Sequence, residues 1–314
     1  MHVRPISKQA ARLAALVFVF AAMAGGGSLA QAKSRPSAKD SALDATDATL
    51  REAFHSIPVA DTGASIVVTS FRPRGDGPFP WVVLSHGTAV TRDANLALGR
   101  NRNLPIASEW VNRGYAVFVP IRRGYGASGS AEGKLADSYG SCERPDFAKA
   151  GEAAALDLLT TVKWAKAQKD LDPKRWLLVG QSSGGFASIY TASKRPEGLM
   201  AVLAFSSGRG GNPDTRPGEP CASAELEQLF SAIAPKLAVP VLWFYAENDE
   251  YIGPRVQKLW FASFRKAGGK GELFVAPPFP ERRGHGVFPS PKGIPIWTRE
   301  VGNFFRSQKI AMPF

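Results

Sequence analysis

Trp176-Leu177-Leu178-Val179-Gly180-Gln181-Ser182-Ser183-Gly184-Gly185-Phe186 is the stretch on which the reading of this chain turns. Its first four residues are apolar and form a run short enough for a strand buried on both faces. Its end opens a helix-compatible segment that continues to residue 193. Between the two stands G-x-S-x-G, a pattern that carries meaning only in this strand, turn and helix setting. The turn has to be sharp enough to lift one side chain above the sheet edge. Glycines two residues before and two after the serine remove Cβ atoms that would collide there. Ser182 then projects outward as a candidate nucleophile, with the Ser183 amide at the positive end of a helix.

Outward from this point, strand-like and helix-like segments alternate. Apolar runs at 64–71, 81–85, 115–120, 200–205, 241–246 and 272–275 read as further strands. Residues 146–168 carry Phe147, Ala150, Ala154, Leu158, Val162 and Ala165 at helical spacing, and 224–234, 255–267 and 295–306 are further helices. Strand, helix, strand in succession implies right-handed crossovers and a mostly parallel sheet. The expected fold class is therefore α/β: one doubly wound domain, with antiparallel pairing among the first strands. No repeat of 20 to 50 residues is visible, so solenoids and propellers are set aside. Residues 206–221 are too long and irregular for a simple crossover, and such loops are often functional.

A serine hydroxyl is a weak nucleophile without a base. In sheets that carry this elbow the chain order is serine, acid, histidine. His55 and His86 precede Ser182, and only His285, in Gly284-His285-Gly286, follows it. His285 is thus the expected base, and His86 is expected to be structural. The acid should stand just past a strand between the two, where Glu247-Asn248-Asp249-Glu250 offers three carboxylates. Asp249, at the tip of the turn, is the first choice, with Glu247 and Glu250 as fallbacks. The oxyanion of a tetrahedral intermediate needs two amides. Ser183 supplies one, and Thr88, in the loop after the strand ending at Ser85, supplies the other.

Five blocks now stand in order: Leu84-Ser85-His86-Gly87, Arg122-Arg123-Gly124-Tyr125-Gly126-Ala127-Ser128-Gly129, the elbow, Tyr245-Ala246-Glu247-Asn248-Asp249, and Gly284-His285-Gly286-Val287-Phe288. On these the chain resembles the dienelactone-hydrolase-like branch of the α/β-hydrolase superfamily, from about residue 65 to residue 305. The resemblance implies the α/β-hydrolase fold and a serine esterase acting on a small-molecule ester through an acyl-enzyme. Dienelactone hydrolases proper use cysteine where Ser182 stands, so dienelactone itself is a poor guess at substrate. A serine peptidase of the prolyl-oligopeptidase type and an inactive binding protein of the same fold are the rival readings. The Arg122 turn follows a strand, at the sheet edge where such folds bind ligands. Arg123, Tyr125 and Arg209 are accordingly candidate substrate contacts. The chemistry calls for no cofactor.

The ends and the charge bound the setting. Arg4, Lys8 and Arg12, an apolar run at 13–24 and Ala30-Gln31-Ala32 read as a signal peptide over residues 1–32. Twelve apolar residues rise only about 18 Å as a helix, too short for a bilayer core of about 30 Å. A leader at 33–60 and the hydrolase domain at 61–314 complete the expected organisation, and the mature chain is expected to be exported, to the periplasm or beyond, without stable membrane insertion. Export makes a disulfide between Cys142 and Cys221, the only two cysteines, the expected pairing. No CxxC or Cys/His cluster suggests a metal site. The formal charge is +12, of which the signal segment supplies three. The excess is scattered and has no nucleic-acid-binding motif beside it, so a solvated basic surface fits better than a nucleic-acid partner.

Overall fold

The computed structural model describes residues 46–129 and 133–314. Eight strands form one sheet: β1 Ala53–Val59, β2 Ala64–Phe71, β3 Phe79–Ser85, β4 Ala116–Ile121, β5 Leu171–Gln181, β6 Leu199–Phe205, β7 Val241–Ala246 and β8 Gly271–Ala276. Their order is β1-β2-β4-β3-β5-β6-β7-β8. β2 runs antiparallel to both β1 and β4, and every other pairing is parallel. The α/β-hydrolase fold expected from the elbow is the fold observed. Among the described residues, seven α-helices cover the sheet: α1 Arg92–Leu96, α2 Leu104–Asn112, α3 Phe147–Lys166, α4 Ser183–Ala192, α5 Ser223–Ile233, α6 Pro254–Lys266 and α7 Ile294–Ser307.

Alternation along each central strand sorts the core into two layers. Trp81, Val83, Trp176 and Leu178 face α3, α4, α5 and α6, whereas Val82, Leu84, Leu177 and Val179 face α2 and α7. Burial on both faces explains why these strands read as continuous apolar runs. Trp81 and Trp176 stack at 4.9 Å across adjacent strands.

The register aligns what matters for chemistry. Ser85 pairs with Gly180, and Gln181 pairs with Phe205, so β3, β5 and β6 end together at the carboxyl edge. β7 ends one strand further along at Ala246. The loops that leave these ends converge on one side of the molecule.

Two parts of the sequence reading need correction. The leader expected to reach residue 60 is shorter, because Ala53–Val59 pairs with Ala64–Phe71 as the edge strand β1. Its exposed residues alternate with the buried Ile57 and Val59, a pattern too short to stand out from composition alone. Helices α1 and α2 fill the stretch between β3 and β4 that the periodicity left unassigned. The signal peptide expected at 1–32 lies outside the described residues. Among those described, no helix is long and apolar enough to cross a membrane.

Candidate active site

The elbow between β5 and α4 is built by close backbone approach. A Cβ on Gly180 would stand 2.1 Å from the Gly184 carbonyl oxygen, and one on Gly184 would stand 2.1 Å from that of Ser85. Only glycine fits at either position. Ser182 between them takes φ 58°, ψ −125°, a conformation L-residues rarely adopt. Its amide donates to the Phe205 carbonyl at 2.9 Å, and its own carbonyl accepts from Gly185, Phe186 and Gly208. The backbone is thus tied to β6 and to the first turn of α4 while the side chain remains partly exposed. Ser183, the rival serine, is buried, and its hydroxyl is engaged by Thr88 Oγ1 at 2.7 Å and by Arg122 at 3.2 Å.

His285 comes from the loop after β8. Its Nδ1 faces both carboxylate oxygens of Asp249, at 3.0 and 2.9 Å. Asp249 is buried and also accepts the amides of Tyr251 and Ile252 on Oδ1, at 2.9 and 3.1 Å. An ionised carboxylate so satisfied fixes the imidazole with its proton on Nδ1 and leaves Nε2 as the basic nitrogen. The Tyr251 ring stacks on the imidazole at 4.2 Å, and Gln181 Nε2 donates to the His285 carbonyl at 3.2 Å. The fallback acids stand elsewhere: Glu247 is exposed, and Glu250 pairs with Arg283 at 3.4 Å.

Ser182 and His285 both line a cavity of about 860 Å³ and, on the other side, a second cleft of about 410 Å³. Thr88 and Tyr251 border both. The structure therefore brings Ser182, His285, Asp249, Ser183 and Thr88 together. No acceptor among the described residues takes the Ser183 or Thr88 amide, as a pair aimed at substrate requires. Also among the described residues, no group of three or more His, Cys, Asp or Glu is arranged to hold a metal ion.

His86 plays the structural part expected of it. Its Nδ1–H donates to the Gly87 carbonyl at 2.8 Å, and its Nε2 accepts the Arg122 amide at 3.1 Å. Burial, then the Arg122 charge, holds its pKa well below the ordinary value.

Behind Ser183 lies a cluster the sequence reading missed. Asp137, fully buried, accepts from Arg122 Nε at 2.9 Å, Arg209 at 2.5 Å and the Tyr125 hydroxyl at 2.8 Å. Arg122 also donates to Ser85 Oγ and the His86 carbonyl, and Tyr125 meets Thr88 Oγ1 at 2.7 Å. Burial alone would raise the Asp137 pKa, but Arg209 and Arg122 outweigh it and hold the carboxyl well below the usual range. Nothing local marks Asp137 in the sequence, fifteen residues past Arg122 in an irregular loop. Arg122 was at least visible beside Arg123.

The three candidate substrate contacts separate. Arg209 lines the larger cavity. Tyr125 is buried beneath it and holds Thr88 rather than facing substrate. Arg123 does not meet the expectation: its Nε and amide are bound by Asp157 of α3, at 2.6 and 2.8 Å, and it borders neither cleft. Cys142 and Cys221 form the expected disulfide, with Cα atoms 5.5 Å apart, which ties the end of the 206–221 loop to the segment before α3. The same loop is held to the turn beyond Asp249 through the Gly218 amide on the Glu250 carbonyl and the Gly253 amide on the Gly218 carbonyl.

Solved structures share this architecture. A dienelactone hydrolase of Anabaena variabilis is 19% identical, over 82% of this chain and 98% of its own, with a TM-score of 0.53. An esterase of Pyrococcus furiosus is 18% identical over 83% and 92%, with a TM-score of 0.55. An acylaminoacyl peptidase of Pyrococcus horikoshii is 13% identical over 81% of this chain and 41% of its own, also with a TM-score of 0.55. At these identities the likeness is one of fold. A family model reaches further into the sequence, since that of the X-Pro dipeptidyl-peptidase (S15) family matches residues 62–225, just over half of the 314. The segment takes in the β3 loop, the Arg122 turn and the elbow, and the chain belongs to this family of the α/β-hydrolase superfamily.

Proposed function

We propose that the protein is a serine hydrolase that cleaves carboxylic esters through an acyl-enzyme on Ser182. The observation that carries the reading is His285, held from behind by Asp249 and bordering the same cavity as a serine held at a left-handed elbow. In the first stage His285 Nε2 takes the Ser182 proton while Oγ attacks the ester carbonyl. The oxyanion rests on the Ser183 and Thr88 amides. Collapse breaks the carbon–oxygen bond, and the alcohol leaves with the proton from His285. Water then attacks the acyl-enzyme by the same route, releasing the acid and restoring the serine. Asp249 holds the imidazole and stabilises its charged form throughout. An exported setting, in the periplasm or outside the cell, belongs to the same proposal, and the Cys142–Cys221 disulfide supports it.

Family membership favours one other reading, removal of dipeptides from peptide substrates. A dipeptidyl-peptidase has to hold a protonated amino terminus, which calls for an acceptor carboxylate near the nucleophile. The larger cavity offers none among the described residues, and Asp214, which borders the smaller cleft, is paired with Arg283, so esters are preferred. Labelling by a fluorophosphonate probe, beside Ser182→Ala, tests the nucleophile. Short nitrophenyl esters and a dipeptidyl anilide ending in proline then separate the two readings. Labelling and ester turnover that both vanish in Ser182→Ala support the proposal. An unlabelled, folded parent would put a binding protein of this fold in its place.

A further inference from the structure

Charge is distributed unequally between the two clefts that meet at Ser182. Among the described residues, the larger cavity is bordered by the cations Lys134, Lys149, Arg209 and Arg216, beside Arg92, and by no carboxylate. In the smaller cleft Arg102 is matched by Glu52 and the bordering Asp214 by Arg283, Arg282 is the one further cation among the described residues, and Leu98, Ile106 and Phe288 supply apolar wall.

The described acid behind the wall of the larger cavity does not balance it. Asp137 stands behind the wall and is shared by two guanidiniums, Arg122 and Arg209, which leaves a buried cluster one positive charge in excess. Arg209 is only 6% exposed, and its buried Nε has no hydrogen-bond partner among the described residues. An uncompensated charge in a poorly solvated wall is costly, and its field is felt strongly in the adjoining space. Glu143 does not border the cavity; its carboxyl is lowered first by Ser141 and least by Arg216. Arg209 and Arg216 both lie on the loop that the disulfide closes, and Arg216 donates to Cys142 Sγ at 3.3 Å. The staple thus holds cationic side chains around the cavity.

We infer that the larger cavity receives an anionic half of the substrate, so that the preferred substrates are esters in which the acyl or the alcohol portion carries a free carboxylate. The inference rests on the ester-hydrolase reading and adds no step to it. The uncharged half then lies in the smaller cleft.

Two matched pairs of esters test this. In the first, mono-4-nitrophenyl glutarate is set against its methyl ester, which varies charge on the acyl half. In the second, 3-acetoxybenzoate is set against its methyl ester, which varies charge on the alcohol half. At low salt the anionic member of one pair should be favoured about tenfold or more in kcat/KM, and the pair that responds identifies the half. The preference should shrink in high salt, as an attraction between partly exposed charges does. The double variant K149E/R216E should lower the anionic-to-neutral ratio about tenfold. Calorimetric titration of the full chain with monomethyl glutarate reads the same site without turnover, and that binding should weaken to a similar degree in the double variant. Equal turnover within both pairs, or a ratio indifferent to the variant and to salt, overturns the inference and leaves the esterase standing. If every ester is inert, the ester reading falls, and failure of monomethyl glutarate to bind would remove the anion site as well.

Discussion

The elbow that carries Ser182 and the loop that carries His285 serve one reaction, but they are held by different physics. The elbow is fixed by the sheet. β5 delivers it, β6 receives its amide, and two glycines admit carbonyl oxygens at distances no other residue tolerates. The histidine loop has no strand of its own. It runs through Arg282, Arg283 and Gly284, all in the left-handed region, and is held by Glu250 N–H on the Arg283 carbonyl, by Arg283 on Asp214 and by Gln181 on the His285 carbonyl. The nucleophile is therefore positioned by the core of the fold, and the base by contacts between loops. The two should answer differently to damage, equal in chemistry and unequal in stability.

The largest effect expected is on turnover. His285→Ala should reduce kcat/KM for a good ester on the order of 10⁴-fold, and Ser182→Ala should do the same, because members of a triad act as a unit. Combining the two should cost little more than either alone. The unfolding midpoint in urea should barely move in Ser182→Ala, whereas His285→Ala should lower it, because it takes the imidazole away from the buried Asp249 carboxylate. A loss in the double variant near the product of the two single losses would show that the residues do not act together.

How much of this was legible in the sequence follows from the same contrast. The elbow could be read because its demands are local: strand, two glycines and helix are contiguous, and Gly180 and Gly184 sit where the collisions are. His285 and Asp249 were found by chain order, which says which residue is used but not what holds it. Tyr251, stacked on the imidazole, lies two residues past the acid in a stretch that gives no such hint. Asp137 was invisible for a further reason. Its role is created by Arg122 and Tyr125 from the turn after β4 and by Arg209 from the loop after β6, and no pattern in a single window records that meeting. Arg123 misled because neighbours in a turn leave it in different directions, Arg122 inward to Asp137 and Arg123 back to Asp157.

The wall behind the elbow should be the most sensitive part of the site in stability. Asp137→Asn removes the one counter-charge shared by Arg122 and Arg209, and leaving buried charge unpaired costs about 3–5 kcal/mol. Urea titration should show a loss of that size. Arg209→Met in the Asp137→Asn background should return part of it, because one of the two stranded charges is then gone. A loss below about 1 kcal/mol would mean that water or an anion already compensates the cluster.

Two glycine substitutions probe the contrast most directly. Gly184→Ala sets a methyl group 2.1 Å from the Ser85 carbonyl oxygen, so strand or helix has to move, at a cost of about 3 kcal/mol. Gly284→Ala forces alanine to φ +81°, with its methyl 2.5 Å from the Asn248 carbonyl. The stability cost there should be about 1–2 kcal/mol. Displacement of the acid loop by even about 1 Å should cost on the order of 10²-fold in turnover. If Gly284→Ala destabilised as much as Gly184→Ala, the histidine loop would be part of the cooperative core after all.

The smallest effect expected is a pH slope, and it originates beside the elbow. His86 is neutral in the fold, with Nδ1–H on the Gly87 carbonyl and Nε2 accepting from Arg122 N–H. Protonation would set a second donor against that amide in a fully buried place beside the Arg122 charge. The folded pKa is therefore lowered, whereas the unfolded chain titrates near about 6.5. Below that pH the unfolded state binds a proton that the folded state refuses, so stability falls as the solution is acidified, by up to about 1.4 kcal/mol per pH unit. His55, lowered chiefly by partial burial, acts in the same direction more weakly. Urea titrations at pH 7.5 and 5.5 should differ by about 1 kcal/mol in the parent and by less in His86→Gln. An unchanged difference in that variant would move the slope to His55 or to another group, and would mean that the imidazole beside the elbow is not held neutral by the sheet edge.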